Sequence, residues 1–453
     1  MIRVQGNYFH SVKLDKDLCK GCVTCLKYCP TEAIRIRDGK AEVNETRCID
    51  CGECIRRCPN HAKLALTETL ADLKNYKFNV ALPAPALYAQ FNPDVTLEKI
   101  FAALKKMGFD GVYEVSLAAE YVTMEIENYM KNTPDLPKPM ISSACPAIIR
   151  LIQVKFPELI KQLIPILPPV EVAATEAKQY YAKTTGFAPA EIGVWFLTPC
   201  PAKATNIRQP VDIISTDLTG AISINSIYGE LQRLLGMVTM QEVEQVLTTS
   251  YGIGWGYAGG EIRATGIVNS LIVHHITEVA EFFEQIEMNK FEDVDYIECL
   301  ACPGGCIGGT LTPADRFVAE KNLKVRVRRM RDYEHKSREK AIRAGKDHEV
   351  YSNYEKRHKE IQPRPIMKLD DDVIVAMQKV VQMKDVLDSL PGLDCGACGS
   401  PTCATLSEDI VRGFAKESDC IFKLRQMVNS LATEMGKLSH NNTHKTKDKS
   451  SKG

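Results

Sequence analysis

The chain has 453 residues, and because single domains usually hold roughly 100–200 residues, we expect three or more structural units. Its 57 basic and 57 acidic side chains cancel, so whole-chain charge gives no support for a nucleic-acid partner. The sequence lacks a run of ~18 apolar residues and a secretory signal, so we expect a cytoplasmic protein without a membrane span. In that reducing compartment, its 17 cysteines favour metal ligation over disulfides.

Residues 19–30 and 48–59 form an internal repeat with the spacing C-x2-C-x2-C-x3-C-P in both copies. Three thiolates at this spacing can surround one iron-sulfur cubane, while the fourth, before proline, turns toward the neighbouring cluster. We therefore predict a domain over residues 1–70 with two [4Fe-4S] clusters, held by Cys19, Cys22, Cys25 and Cys58 and by Cys48, Cys51, Cys54 and Cys29. A pair of zinc knuckles is the disfavoured alternative. The segment resembles bacterial two-cluster ferredoxins, which implies electron relay.

From residue 77 to residue 318, short strand-like runs alternate with helical segments, which predicts an α/β domain with mainly parallel sheets flanked by small α+β satellites. The predicted strands are FNVALPAPAL, GVYEVSL, EIGVWFL, VDIIS and VDYIECL. Four cysteines follow apolar runs, namely Cys145, Cys200, Cys302 and Cys306. Because ligands gather at the carboxyl ends of parallel strands, these distant cysteines can converge on one site.

The peptides around these cysteines carry a specific resemblance. ISSACPAII, TPCPAKATN and ECLACPGGCIGG are similar to the signature segments of the catalytic domain of iron-only hydrogenases. The resemblance implies that the four cysteines hold a cubane and that Cys306 also bridges to a diiron unit with carbon monoxide and cyanide ligands, the two parts forming the H-cluster. It further implies that Lys203 donates a hydrogen bond to a cyanide, a task that suits an ammonium group. A surface lysine is the alternative.

The sequence departs from the active enzymes of that family at residues linked to proton transfer. Ala144 stands where those enzymes carry a proton-passing thiol, and Asn206, Thr198 and Thr310 replace other motif residues. In segment 124–129, isoleucine and tyrosine occupy the positions of relay carboxylates. Because general acid–base assistance is worth roughly 10²–10⁴ in rate, we expect metal binding to persist while proton turnover is slow. This pattern resembles the sensory or regulatory branch of the family.

The region 319–370 is densely charged, which predicts a helical linker or docking surface. We expect its basic run, residues 324–331, to face solvent. Nucleic-acid binding is not expected there, because no stacking aromatic residues interleave with the charges. A helix should follow, since apolar residues recur at helical spacing at Val373, Met377, Val380, Met383 and Leu387. We interpret this stripe as core packing.

The segment 371–438 predicts a small helical cluster domain. The spacing C-x2-C-x4-C-x16-C, formed by Cys395, Cys398, Cys403 and Cys420, can present four thiolates to one cubane. It resembles the small cluster domain of Rnf-complex B subunits and corrinoid iron-sulfur proteins, with a four-cysteine zinc site as the alternative. Residues 439–453 are polar and lysine-rich, which predicts disorder, and the remaining Cys299 is interpreted as a buried structural thiol.

Three functions stay open at this point. The favoured one is a hydrogen or redox sensor, or an electron-transfer subunit of a hydrogenase assembly. The second is a slow hydrogenase that exchanges electrons with ferredoxin, and the third is an iron-sulfur assembly or electron-wire protein without the diiron unit. The implied partners are ferredoxin or other redox subunits and a signalling kinase or phosphatase.

Overall fold

The computed structural model describes residues 8–239, 246–336, 359–364, 366 and 368–447. The chain divides into two compact units. The large unit comprises Met1–Asp15 and Glu45–Arg364, and the small unit comprises Lys16–Asn44 and Pro365–Gly453. The first copy of the cysteine repeat thus belongs to the small unit and the second copy to the large unit. The domain boundaries proposed from the sequence stay a prediction.

The strands of the described residues are β1 (Val12–Leu14), β2 (Ile34–Arg37), β3 (Lys40–Val43), β4 (Lys63–Ala65), β5 (Phe78–Pro83), β6 (Gly111–Val112), β7 (Met140–Ile141), β8 (Ile192–Thr198), β9 (Gly220–Ser223), β10 (Ser270–His274) and β11 (Tyr296–Leu300). The helices are α1 (Thr24–Lys27), α2 (Glu53–Arg57), α3 (Pro85–Tyr88), α4 (Leu97–Lys106), α5 (Val115–Asn132), α6 (Pro146–Lys155), α7 (Pro169–Thr185), α8 (Pro201–Arg208), α9 (Ile224–Leu235), α10 (Ser250–Gly254), α11 (Gly260–Thr265), α12 (Ile276–Glu287), α13 (Arg316–Lys336), α14 (Val373–Ser389), α15 (Cys403–Val411) and α16 (Ile421–Lys447).

Two parallel sheets organise the large unit. One has the strand order β6-β5-β8-β9 and the other the order β10-β11-β7, and every pairing within them is parallel. All residues of β8 and of β11 are buried, as expected where both faces of a parallel sheet are covered. The prediction of an α/β fold with mainly parallel sheets is confirmed.

One predicted strand is absent and two are shorter than predicted, since FNVALPAPAL is a strand only at Phe78–Pro83 and GVYEVSL only at Gly111–Val112, each followed by a helix. The run VDIIS at residues 211–215 is irregular, and the strand that pairs with β8 is β9, several residues later. Ile213 is buried while Ile214 is 79 % exposed, so the run has no continuous buried face. The strand β10, whose residues are only partly buried, was not predicted.

Helix α13 begins the charged region and packs on the large unit. The expectation of a solvent-facing basic run fails at Arg326 and Val327, which are buried together with Leu323. The Arg326 guanidinium donates hydrogen bonds to four backbone carbonyls of the segment after α3, those of Tyr88, Phe91, Asn92 and Val95. Burial lowers the pKa of Arg326 to about 10, so it stays charged at neutral pH. This arginine therefore satisfies carbonyls that no helix or strand satisfies.

We expect the Arg326→Ala substitution to destabilise the large unit by about 3 kcal/mol, because it leaves buried carbonyls without donors. The unfolding midpoint in a thermal or urea denaturation experiment should fall by a measurable margin. Arg328→Ala is the matched control, since Arg328 is exposed on the same helix and its loss should change stability by less than ~0.5 kcal/mol. Equal effects of the two substitutions would contradict the role of Arg326 as the hydrogen-bond donor to these carbonyls.

The small unit joins the hairpin β2–β3 to the C-terminal segment. The amide of Ile36 donates to the carbonyl of Gly399, and Asp409 of α15 accepts hydrogen bonds from Arg35, Arg37 and Ser400. The Arg35 Nε lies 2.5 Å from the Asp409 carboxylate, and both side chains are nearly inaccessible to solvent. A buried pair of opposite charges thus connects sequence segments that are far apart.

Replacing Asp409 with alanine should destabilise the small unit by about 3–5 kcal/mol, because two arginines would lose their shared buried counter-charge. Hydrogen exchange at the amides of β2 and β3 measures this loss directly, and we expect their protection to fall. The exposed Asp388 of α14 provides the control, because Asp388→Ala removes the same charge from the same unit. Unchanged protection in the Asp409 variant would show that the ion pair does not hold the hairpin.

The stripe on α14 is exposed, so its interpretation as core packing is wrong. Val373, Met377 and Val380 are 72 %, 67 % and 51 % exposed, and only the C-terminal end of the helix, at Val386 and Leu390, reaches a hydrophobic cluster. Helix α16 extends to Lys447 and so includes residues 439–447 of the segment predicted to be disordered, while 448–453 lie outside the described residues. Among the described helices, none combines the length and apolar character of a membrane span.

Candidate metal centre

Four cysteines from three strand ends line one cavity in the large unit. Cys145 follows β7, Cys200 follows β8, and Cys302 and Cys306 follow β11. The cavity holds about 100 Å³ that the centre of a water molecule can reach, and most of its other lining residues are apolar. The structure therefore brings together the four cysteines that the sequence placed at the carboxyl ends of strands. Their role as ligands of a cubane stays a prediction.

The local sequence fixes how two of these cysteines are presented. Cys145 and Cys200 are the residues before α6 and α8, and each is followed by proline at the first helical position, where a missing N–H costs nothing. The Thr198 hydroxyl accepts a hydrogen bond from the Cys200 amide at 3.2 Å and contacts the Cys200 carbonyl at 3.1 Å. Thr198 thus orients the backbone of a candidate ligand.

Burial dominates the electrostatics of these thiols. It raises the pKa of Cys200 to about 11 and that of Cys306 to about 12, and it also raises the pKa of Cys302. Thiols in such a site give up their protons only in exchange for a cation, which is the behaviour expected of a metal centre that binds metal with proton release. Soft sulfur donors around an apolar cavity fit an iron-sulfur group.

Lys203 also lines this cavity, one turn into α8. Its ammonium group donates a hydrogen bond of 2.9 Å to the carbonyl of Ala144, the residue directly before Cys145. An ammonium group has three donors, so this bond leaves two others for an anionic ligand in the cavity. The surface alternative for Lys203 does not fit this position.

The wall formed by α5 is apolar. Val115 and Ala119 face the cavity, Ile126 is buried in the core and Met124 is exposed. The carboxylates nearest to this wall are engaged elsewhere, since Glu114 and Glu120 accept hydrogen bonds from the backbone amides of residues 247–249. Burial raises the pKa of Glu114 to about 7. The described part of α5 therefore presents no carboxylate to the cavity.

Two buried carboxylates that the sequence reasoning missed do line the cavity. Glu261 accepts hydrogen bonds from the hydroxyl groups of Ser142 and Tyr296, at 2.7 and 2.5 Å. Glu298 accepts hydrogen bonds from the backbone amides of Gly259 and Ile262. Burial raises the pKa of both carboxyl groups, and their mutual repulsion raises that of Glu298 further. Neither residue belongs to a recognised motif. Glu298, however, is a charged residue inside the otherwise apolar run of β11, and this could have indicated a functional position.

The second copy of the cysteine repeat lies against this centre. Cys51 lines the same cavity, and a Cβ atom at Gly52 would come within 2.6 Å of the Thr310 hydroxyl and 3.1 Å of Pro201. Arg56 of α2 donates a hydrogen bond of 2.6 Å to the carbonyl of Gly308. Only glycine permits this close approach, so the second repeat copy and the cysteine-rich loop after β11 pack against each other.

The last cysteine of each repeat copy has the same local geometry. The Cys29 sulfur accepts a hydrogen bond from the Ala33 amide, and the Cys58 sulfur accepts one from the Ala62 amide, both at 3.2 Å. Hydrogen bonds to sulfur are one of the means by which a protein tunes an iron-sulfur cluster. The assembly of the two predicted ligand sets, which draw on both units, stays a prediction.

A buried histidine beside the second repeat copy was also missed. The His10 Nδ1 lies 2.7 Å from the Asp50 carboxylate, and ligand atoms of His10, Cys48 and Asp50 lie within 4.8 Å of one another. No sequence pattern indicated this contact, because His10 precedes the repeat and belongs to no motif. An imidazole therefore stands beside a predicted cluster ligand.

The four C-terminal cysteines line a second, smaller pocket, within the small unit. Cys395 and Cys398 are contributed by the loop before α15, Cys403 is its first residue, and Cys420 directly precedes α16. The Asp394 carboxylate accepts the Cys403 amide at 2.6 Å. The structure thus gathers the predicted C-terminal ligand set. Cys299 differs from all of these, since it is fully buried within β11 and is not among the residues that line either pocket.

Comparison with known proteins assigns these segments to families. Residues 77–219 and 222–310 match the family model described as iron only hydrogenase large subunit, C-terminal domain. Residues 11–59 match a 4Fe-4S dicluster domain, and residues 390–422 match an Fe-S cluster domain.

Three relatives illustrate the range of the similarity. The chain is 24 % identical to the NADP-reducing hydrogenase subunit HndD of Solidesulfovibrio fructosivorans over 66 % of this chain and 64 % of that protein. It is 26 % identical to the periplasmic [Fe] hydrogenase large subunit of Nitratidesulfovibrio vulgaris, over 69 % of this chain and 88 % of that protein. It is also 22 % identical to the probable cytosolic Fe-S cluster assembly factor oxy-4 of Caenorhabditis elegans, over 58 % of this chain and 69 % of that protein.

Fold and cysteine arrangement together define an iron-sulfur redox protein of the α/β class. Because the large-subunit model matches just over half of the chain, the chain belongs to the iron-only hydrogenase large-subunit family. It is a hydrogenase-like iron-sulfur protein, and it spans less than two thirds of the length of the subunit HndD.

Proposed function

We propose that this protein holds an H-cluster in its central cavity and turns over protons slowly, acting as a hydrogen or redox sensor or as an electron-transfer subunit of a hydrogenase assembly. One observation carries the proposal. Four cysteines and Lys203 line the cavity together with Ala144. The resemblance of the segment ISSACPAII would put Ala144 at the position of the proton-passing thiol, so the site would keep the ligands of the metal group and lack that thiol.

In this proposal, Cys145, Cys200, Cys302 and Cys306 would hold the cubane, Cys306 would also hold the diiron unit, and Lys203 would donate a hydrogen bond to a cyanide. When bound, the diiron unit supplies the iron that binds hydrogen. The chain itself supplies an apolar enclosure, and Val115, Ala119 and the Ala144 methyl group offer no titratable atom on their side of the cavity. A proton must therefore travel by water or by a carboxylate elsewhere in the wall.

Electron relay is the second part of the proposal. Cys48, Cys51 and Cys54 of the second repeat copy, with Cys29, would hold one cubane, and Cys51 lines the central cavity. The other repeat cubane would be held by Cys19, Cys22, Cys25 and Cys58, and the C-terminal one by Cys395, Cys398, Cys403 and Cys420. The close approach at Gly52 favours transfer between the repeat and the central site.

A slow hydrogenase is the second candidate function, and a specific observation favours it. Glu261 and Glu298 line the cavity with raised pKa values, so each is able to hold a proton near neutral pH. Their oxygen atoms are engaged by Ser142, Tyr296 and backbone amides, which restricts their motion. Such a pair supports occasional proton delivery rather than rapid cycling.

The proposed partners are ferredoxin or other redox subunits, with a signalling kinase or phosphatase receiving the output, and the proposed location is the cytoplasm. The remaining alternative is an electron-wire or assembly protein without the diiron unit. The similarity to a relative described as an assembly factor supports this alternative.

The experiment uses the full chain matured with the diiron assembly proteins. Under hydrogen, we expect the cubanes to become reduced, visible by electron paramagnetic resonance, while hydrogen evolution with reduced ferredoxin runs at least ~10²-fold below an active iron-only hydrogenase assayed in parallel. Evolution as fast as that reference would contradict slow turnover.

A further inference from the structure

Helix α16 carries an apolar seam that the rest of the described chain leaves uncovered. The seam consists of Ile421, Leu424, Val428, Leu431, Met435 and Leu438, each between 47 % and 70 % exposed. Soluble proteins rarely expose contiguous apolar surface of this extent on a single element unless it contacts a partner.

The spacing of the seam is that of a coiled coil. Its residues alternate in steps of three and four, which repeats every seven residues and winds one narrow stripe along a slightly supercoiled helix. A helix that packs on a globular core usually shows a broader apolar face instead. The pattern therefore indicates a helical partner rather than a missing core contact.

The identity of the residues points to the kind of partner. In the heptad register that starts at Ile421, the a positions are Ile421, Val428 and Met435, and the d positions are all leucine. Two of the three a positions are β-branched and every d position is leucine, a combination that favours parallel, two-stranded coiled coils. The six side chains also expose on the order of 700 Å² per copy, close to the ~800 Å² per partner of a standard stable interface.

We propose that α16 pairs with α16 of a second copy of this chain as a parallel two-stranded coiled coil. The seam starts at the residue after Cys420, and the Leu424 amide donates to the Cys420 carbonyl at 2.8 Å, so the dimer contact continues directly from the C-terminal cysteine pocket. This contact involves only the seam residues and does not depend on the function proposed for the central site.

Sedimentation equilibrium of the full chain tests the pairing. We expect twice the chain mass for the unaltered protein, and for Leu431→Lys at least a hundredfold increase in the dissociation constant, because a charge would enter the middle of the seam. Gln426→Lys is the matched control, since Gln426 lies on the opposite side of the same helix and lysine has similar helix propensity to both replaced residues. Leu431 is exposed within one copy, so its replacement should leave the iron content unchanged.

A cross-link tests the parallel orientation. Leu438 is a d position, and in a parallel pair the two copies of it face each other closely enough for a disulfide. Under mild oxidation we expect Leu438→Cys to give a covalent dimer that the unaltered chain does not give. A monomeric unaltered chain, a dimer that survives Leu431→Lys, or a failure of Leu438→Cys to cross-link a dimeric chain would each overturn the proposal.

Discussion

Simultaneous replacement of Cys302 and Cys306 with alanine is expected to lower the iron content of the reconstituted chain from about sixteen to about twelve atoms, the loss of one cubane out of four. Both cysteines come from the loop after β11, so the substitutions remove half of the central thiol set at once. Metal analysis with absorbance spectroscopy measures the loss. Because burial raises the pKa of both thiols, they keep their protons until metal displaces them.

Cys299→Ala is the matched control for this experiment. Cys299 lies three residues before Cys302, is fully buried, and is interpreted as a structural thiol. Its replacement should leave about sixteen iron atoms in place. An iron content that falls equally in both proteins, or in neither, would contradict the ligand assignment.

Ala144→Cys is expected to raise the hydrogen-evolution rate of the matured protein by about 10²-fold, the lower end of what general acid–base assistance supplies. Ala144 lines the cavity, so the new thiol would stand beside the proposed diiron position. We expect the lower end because the neighbouring wall remains apolar at Val115 and Ala119. Gas chromatography of evolved hydrogen provides the rate.

Ala144→Ser separates acidity from size in that experiment. Serine adds an atom at the same place but ionises far less readily than a thiol, so we expect its rate to stay near that of the unaltered protein. If the serine and cysteine variants gained equally, the effect would be one of packing, and if neither gained, the missing thiol would not be what limits turnover.

The central arrangement could be predicted from the sequence because it follows from a general rule of parallel sheets. Cysteines that directly follow strands meet at one sheet edge, and Cys145, Cys200 and Cys302 do so despite their distance along the chain. The grouping of the C-terminal cysteines could be predicted equally well, since close spacing in a glycine-containing loop already brings Cys395, Cys398 and Cys403 near one another.

Other features depend on tertiary contacts that no local pattern encodes. In the sequence, Arg326 is one more charged residue in a basic run. In the structure it is buried, because it donates hydrogen bonds to backbone carbonyls at and after the end of α3. The stripe on α14 has helical periodicity, and periodicity alone does not say whether an apolar face meets the same chain or a partner. Glu261 and Glu298 were missed because their hydrogen-bond partners are contributed by three separate segments.

Infrared spectroscopy of the purified chain, after co-expression with the diiron maturation proteins, tests the central claim most directly. The claim is that the cavity lined by Cys306 and Lys203 holds a diiron unit. We predict absorption bands from iron-bound carbon monoxide and cyanide, and their loss in the variant that lacks Cys302 and Cys306. A chain with its full complement of cubane iron and no such bands would contradict the claim.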